Sequence, residues 1–147
     1  MSAMSVSGVL STLRALGTAP RMYSHRGQPA PFPLGTSVAP PIAWVPENLE
    51  QAVEGRLPSD LLQLWQEAGE LRLFEDREYG QWGLIIWPPR MALEKTAAER
   101  TDRPDQFRRA DLLVGEFLGD ADQLLIRCDP MLSDFGRPYI VTPIAPT

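Results

Sequence analysis

Proline placement limits what the first third of this 147-residue chain can form. Seven of the 15 prolines lie before residue 47. Because proline has no backbone N–H to donate, the segment Pro29–Pro46 cannot be a central strand, and we expect it to run extended over the rest of the protein. Its candidate anchors are Phe32, Ile42 and Trp44.

Charge divides the chain at the same place. Residues 1–46 hold three arginines and no acidic residue, whereas residues 47–147 carry a net charge of −8. We therefore expect two regions: residues 1–46, with a short helix over Met4–Leu16 and the Pro-rich extended segment, and residues 47–147, an acidic domain. The apolar positions of the first helix are interrupted by polar residues and follow no basic segment, so a signal peptide is not expected.

Composition excludes several classes of function. The whole chain has a net charge of −5 and an isoelectric point near 4.9, which argues against direct binding to nucleic acid. One cysteine, Cys128, cannot form an internal disulfide, and a single histidine excludes most histidine-based catalytic and zinc sites. No phosphate-binding glycine motif and no membrane-spanning apolar run occurs. We expect a cytoplasmic protein with no cofactor, no metal and no catalytic residue.

Helical patterns occupy three segments of the acidic domain. Glu47–Arg56 places its apolar residues on one face and acids in its first turn. In the helix predicted over Pro58–Gly69, Pro58 suits the first turn, and Ser59 and Asp60 are candidates to cap the free amides. These two helices are expected to pack back to back. A third helix is predicted over Met91–Arg100, which is rich in alanine, glutamate and lysine.

The remaining segments predict a sheet. Gly83–Trp87 is a continuous apolar run ended by two prolines, which is typical of a strand at the centre of a sheet. Leu112–Leu118 and Gln123–Cys128 are strands joined by a turn at residues 119–122, and the second strand places Cys128 on an apolar face. Shorter strands are predicted at Leu71–Phe74 and Tyr139–Thr142. The predicted class is α+β, with N-terminal helices packed on one side of a mostly antiparallel twisted sheet.

Three motifs follow one another along the acidic domain: Leu57–Trp65 with a glycine turn at Gly69, the strand Gly83–Trp87, and the glycine–aspartate hairpin within Leu113–Ile126. In this order they resemble the SUKH superfamily, which includes fungal cell-wall assembly regulators and many bacterial immunity proteins. The resemblance covers roughly residues 47–143. It implies a SUKH-like, non-enzymatic binding domain, because immunity proteins of this type neutralise polymorphic toxins by covering them.

Two acidic clusters are candidates for a partner-binding site. Aromatic side chains provide contact area that is readily desolvated, and carboxylates steer a cationic partner. The same carboxylates could instead form an acid/base pair or a hard-metal site, or could be solvated turn residues. The first cluster is Glu75, Asp76, Glu78, Tyr79 and Trp82, and the second is Asp120 and Asp122 at the hairpin tip.

These observations predict a non-catalytic protein-binding domain, and most specifically an immunity protein that occludes a bacterial polymorphic toxin of the nuclease type. The expected partner is a cationic toxin domain, because proteins that attack nucleic acid usually carry a basic cleft. The alternative is an intracellular scaffold or regulatory protein of the SUKH type. A small carboxylate enzyme is a third hypothesis.

Overall fold

An antiparallel sheet of six strands organises residues 5–143, the part of the chain described by the computed structural model. Neighbouring strands of this sheet follow one another in the same order as along the chain. They are β3 (Gly35–Val38), β4 (Leu71–Glu75), β5 (Leu84–Ile86), β6 (Asp111–Phe117), β7 (Gln123–Arg127) and β8 (Pro138–Val141). A separate small hairpin pairs β1 (Ser24–His25) with β2 (Gln28–Pro29).

The helices are α1 (Val6–Ala15), α2 (Pro46–Val53), α3 (Ser59–Glu67) and α4 (Pro89–Asp102), and a 3-10 turn spans Pro104–Gln106. The predicted α+β class is confirmed, and β5 lies in the middle of the sheet as its apolar run indicated. The predicted start of α1, Met4, lies outside the described residues, as do residues 144–147. Within residues 5–143, no helix combines the length and the hydropathy that a membrane crossing requires.

The main core lies between the helices and one face of the sheet. Trp65 of α3 is fully buried there against Leu112 and Val114 of β6, together with Cys128. The indole Nε1 of Trp65 donates a hydrogen bond to the carbonyl oxygen of Trp87 at 2.9 Å. A buried tryptophan thus keeps its polar group satisfied while it fills the space between the helices and the sheet.

The pairing of the helices differs from the prediction. α2 and α3 contribute to one core, but α3 packs against α1 and α2 packs against α4. The contact of α1 with α3 is fixed by Ser7, whose hydroxyl donates to the Glu67 carboxylate at 2.7 Å, and by Arg14, which donates to the Glu67 carbonyl oxygen at 2.8 Å. These partners are more than 50 residues apart, so local sequence patterns could not reveal them.

The start of α3 also corrects a prediction. Pro58 occupies the N-cap position, and no side chain caps the helix. Ser59 and Asp60 already belong to the first turn, whereas a capping side chain must come from the residue that precedes it. Among the residues that the structure describes, the side chains of Ser59 and Asp60 form no hydrogen bond.

The Pro-rich segment forms an edge strand, as its lack of N–H donors allows. β3 pairs with β4 only, and this places residues before 47 in the same sheet as the acidic domain. Trp44 anchors the segment, since its ring packs edge-on to Trp65 with centroids 5.6 Å apart. Ile42, the aliphatic candidate, is 54% exposed and does not belong to the buried core.

Candidate functional site

The two predicted acidic clusters meet at one end of the sheet. Alternate connections of an antiparallel sheet leave from the same end, and here they are the β4–β5 loop (residues 76–83) and the β6–β7 turn (residues 118–122). The backbone N–H of Leu118 donates to the carbonyl oxygen of Gly83 at 2.9 Å. Gly119 lies so close to the Gln81 carbonyl that an added Cβ would collide with it. The loop and the turn therefore form one continuous surface.

Asp76 holds the β4–β5 loop from inside. Its carboxylate accepts the backbone N–H groups of Glu78 at 3.0 Å, Tyr79 at 3.1 Å and Gln81 at 3.3 Å. The residue is 1% exposed, which corrects the prediction that Asp76 contacts a partner. A buried carboxylate requires such donors, and its role in this loop is to fix the backbone.

Glu75 is likewise engaged within the protein. Its side chain is 13% exposed and forms ion pairs with Arg72 at 2.7 Å and with Arg77 at 3.7 Å. Two arginines thus neutralise the negative charge of Glu75, which was predicted to steer a cationic partner. Glu75 therefore contributes little to the potential of this end of the sheet.

Tyr79 and Trp82 are the aromatic side chains that the loop presents to solvent, 58% and 44% exposed. Both rest on Phe32 of the Pro-rich segment, whose ring centroid lies 5.1 Å from that of Tyr79 and 6.2 Å from that of Trp82. Phe32 was predicted as an anchor and not as part of a site. We define the aromatic–acidic surface as Phe32, Glu78, Tyr79, Trp82 and Asp120.

The acids of this surface differ in their roles. The Glu78 carboxylate beside the Tyr79 phenol raises the pKa of that phenol above its ordinary value of 10. Asp120 is exposed at the tip of the turn. Asp122, the second predicted acid of the turn, accepts a hydrogen bond from the hydroxyl of Thr142 at 2.7 Å. Asp122 therefore ties the turn to the residue after β8.

Two further aromatic residues that sequence reasoning missed extend this end of the molecule. Tyr23 and Trp82 line one cavity of about 430 Å³ beside the small hairpin. Phe74 packs edge-on to Tyr23 with centroids 5.3 Å apart, and it has a φ of +51°. Positive φ strains a bulky residue by about 1–3 kcal/mol, and such positions cluster at functional sites. The sequence signal was an aromatic residue beside an acidic loop, but its backbone conformation could not be predicted.

Aromatic rings and carboxylates are the groups that this end of the molecule presents to solvent. Among residues 5–143, no three histidine, cysteine, aspartate or glutamate side chains are grouped to hold a metal ion. Cys128 lies far from this surface, and burial, with smaller effects of Asp111 and Glu50, raises the pKa of its thiol to about 12. That thiol is protonated near neutral pH and is a poor nucleophile.

Comparisons of the chain with protein-family models, with curated proteins and with solved structures find no match. The SUKH resemblance therefore stays a prediction.

Proposed function

We propose that this chain is a non-catalytic protein-binding domain that covers a cationic surface of another protein with its aromatic–acidic surface. The observation that carries the proposal is the exposure of Tyr79 and Trp82 on a loop that buried contacts hold in place. Tyrosine and tryptophan are enriched among the residues that dominate binding energy at protein interfaces.

Preorganisation favours tight binding by this surface. Asp76 fixes the loop backbone through its three acceptor bonds, and Phe32 supports both exposed rings. A loop that is already ordered loses little conformational entropy when a partner binds. The aromatic groups can thus contribute most of their contact energy to affinity.

The negative charge of this surface favours a cationic partner. Within the described part of the chain, neither Glu78 nor Asp120 forms an ion pair, so both carboxylates can attract cations. The net charge of −5 adds a long-range attraction to a basic protein. The binding rate should therefore fall as salt is raised.

The most specific form of the proposal follows from the SUKH resemblance: an immunity protein that occludes the basic cleft of a nuclease-type toxin in the bacterial cytoplasm. Protection from a catalytic toxin requires that little toxin stays free, which calls for a Kd near 1 nM, or about −12 kcal/mol. An interface of roughly 1,600 Å² with a few aromatic anchors can provide that affinity.

The test is to purify the full chain with the product of a neighbouring toxin-like gene and to measure both the Kd and the rescue of growth. We expect a complex of nanomolar affinity and survival of cells that express the toxin. The absence of both a complex at micromolar concentration and of rescue would contradict the proposal. Binding without rescue would contradict the immunity form and favour the regulatory alternative.

Variants locate the contact. Tyr79→Ala and Trp82→Ala should each weaken the complex by about tenfold or more, which corresponds to about 1.4 kcal/mol. Met131→Ala removes another exposed apolar side chain after β7, at the opposite end of the sheet, and should leave the Kd unchanged. Equal effects of all three substitutions would show that the partner binds elsewhere.

A further inference from the structure

A second surface lies on the helix side of the sheet and shares no residue with the aromatic–acidic surface. A groove of about 610 Å³ runs between α1 and α3 and continues over the sheet to the segment before β8. Val9 at its rim is 39% exposed, so the groove opens to solvent. Its lining is mostly apolar and includes Val9, Leu13, Leu64, Leu73, Ile86 and Ile126.

The helix layer is incomplete beside this groove. Residues paired across an antiparallel sheet point to the same face, so Leu84 and Phe117 share the face of Leu73. Ile140 lies opposite Leu124 on that face and is 65% exposed. A sheet face that is apolar but not fully covered by helices is typical of a surface that binds another apolar element.

Polar groups occur at one end of the groove. Ser59 and Asp60 line it at the start of α3, and Asp60 is the one charged lining residue. In the region between residues 5 and 143, the Asp60 carboxylate has neither a hydrogen bond nor an ion pair. The groove therefore combines a long apolar floor with one unpaired negative charge.

We propose that this groove binds an amphipathic α-helix of a partner protein that carries a lysine or arginine at the end lying against Asp60. α1 shows that the same layer accepts such a helix, because its apolar residues, with Leu10 fully buried, pack on α3 and the sheet. A basic side chain pairs with the lone carboxylate, whereas an acidic one is repelled. Helix-in-groove binding of this kind uses apolar residues at helical spacing.

Two designed peptides of about 15 residues, long enough to be helical when bound, test the proposal. One places leucine on one face and lysine on the other, and the second replaces every lysine with glutamate. Calorimetry with the full chain should show binding of the lysine peptide, and at least about tenfold weaker binding of the glutamate peptide. Absence of binding by the lysine peptide, or equal binding of both peptides, would overturn the proposal.

Substitutions test whether the lysine peptide binds in the groove. Val9→Glu at the rim should weaken lysine-peptide binding by about tenfold or more, whereas Val45→Glu, the same change at a position that is 51% exposed outside the groove, should have no effect. Asp60→Asn should reduce the preference for lysine over glutamate. If both valine variants bind equally well, the groove is not the site.

Two further controls separate this inference from the proposed function and from a lipid ligand. Tyr79→Ala should leave lysine-peptide binding unchanged, and a loss with this variant would move the peptide to the aromatic–acidic surface and overturn the proposal. Dodecyltrimethylammonium is the lipid-like probe. Its binding at Val9 and Asp60, together with failure of the lysine peptide, would assign the groove to an amphiphile instead.

Discussion

The Thr96 side chain of α4 forms the hydrogen bond to Leu113 of β6 that a neighbouring strand would otherwise provide. Its hydroxyl accepts the backbone N–H of Leu113 at 2.9 Å and donates to the carbonyl oxygen of Ala92 at 2.7 Å. β5 ends at Ile86, whose partner on β6 is Gly115, so Leu113 lies beyond the reach of that strand. One turn later along α4, Arg100 donates to the carbonyl oxygen of Asp111 at 2.9 Å. α4 thus provides hydrogen-bond partners for the backbone groups of β6 that the short strand β5 leaves unpaired.

This relationship predicts that Thr96→Val is destabilising although it preserves the shape of the side chain. The Leu113 N–H would stay buried without an acceptor, which costs about 1–3 kcal/mol in the free energy of unfolding. Urea denaturation measures the loss. Thr101→Val is the matched control, since its exposed hydroxyl donates to Ala97 in the same way but serves no strand. Equal losses for the two variants would refute the assigned role of Thr96.

Asp76→Ala should loosen the β4–β5 loop. Three backbone N–H groups lose a charged acceptor, and hydrogen bonds to charged groups contribute about 1.5–3 kcal/mol each. We expect faster hydrogen exchange at Glu78, Tyr79 and Gln81 and a lower free energy of unfolding. Asp120→Ala, which removes an exposed carboxylate of the neighbouring turn, should change neither. Unaltered exchange in the Asp76 variant would show that the loop is held by other contacts.

Gly119→Ala should disturb the contact between the loop and the turn. The residue has a φ of +91°, and an added Cβ would collide with the Gln81 carbonyl. Gly80 also has positive φ but has open space around it, so Gly80→Ala measures the backbone strain alone, about 1–2 kcal/mol. We expect a larger loss of thermal stability for Gly119→Ala. A smaller loss than for Gly80→Ala would contradict the packing argument.

Cys128 should resist alkylation in the folded protein. Burial raises the pKa of its thiol to about 12, so the reactive thiolate is scarce even at pH 9. Iodoacetamide labelling at pH 8, followed by mass spectrometry, should be negligible without denaturant and complete in guanidinium chloride. Rapid labelling of the native protein would show that the thiol is accessible and would reopen a nucleophilic role.

Asp111 should make the protein less stable as pH rises. Burial raises the pKa of its carboxyl above the ordinary value of 3.8, although Arg108 and Arg127 donate to one oxygen, and Oδ1 has no partner among the described residues. The folded state therefore binds the proton more tightly than the unfolded state. The stability that this proton contributes is present below pH 3.8 and is lost as pH rises through the folded pKa.

The Asp111→Asn variant tests the direction in which stability changes with pH, because asparagine does not titrate. The free energy of unfolding of the wild type, taken relative to the variant, should decrease between about pH 3 and pH 7. An increase over that range would mean that pairing with Arg127 outweighs the burial of the carboxylate.

Local patterns in the sequence predicted most of the elements. Pro58 at the start of the second predicted helix, apolar residues at helical spacing, and the apolar run at Gly83–Trp87 are local signals. They depend on neighbours in the chain, so they could be interpreted without the tertiary structure. The same holds for the hairpin of β6 and β7, whose turn residues are adjacent in sequence. Tyr79 and Trp82 were also predicted as partner-binding residues in this way, and the structure shows that both are exposed.

Tertiary contacts decided the rest. Asp76 and Glu78 are both acidic residues of one loop, and nothing local distinguishes the buried acceptor from the exposed carboxylate. Phe32 belongs to the aromatic–acidic surface because the fold places it beside a loop that is more than 40 residues away in the sequence. The sequence by itself determined which segments form helices and strands and that the chain is acidic. The fold determined which charges stay free, because burial and pairing depend on groups that meet only when distant segments pack together.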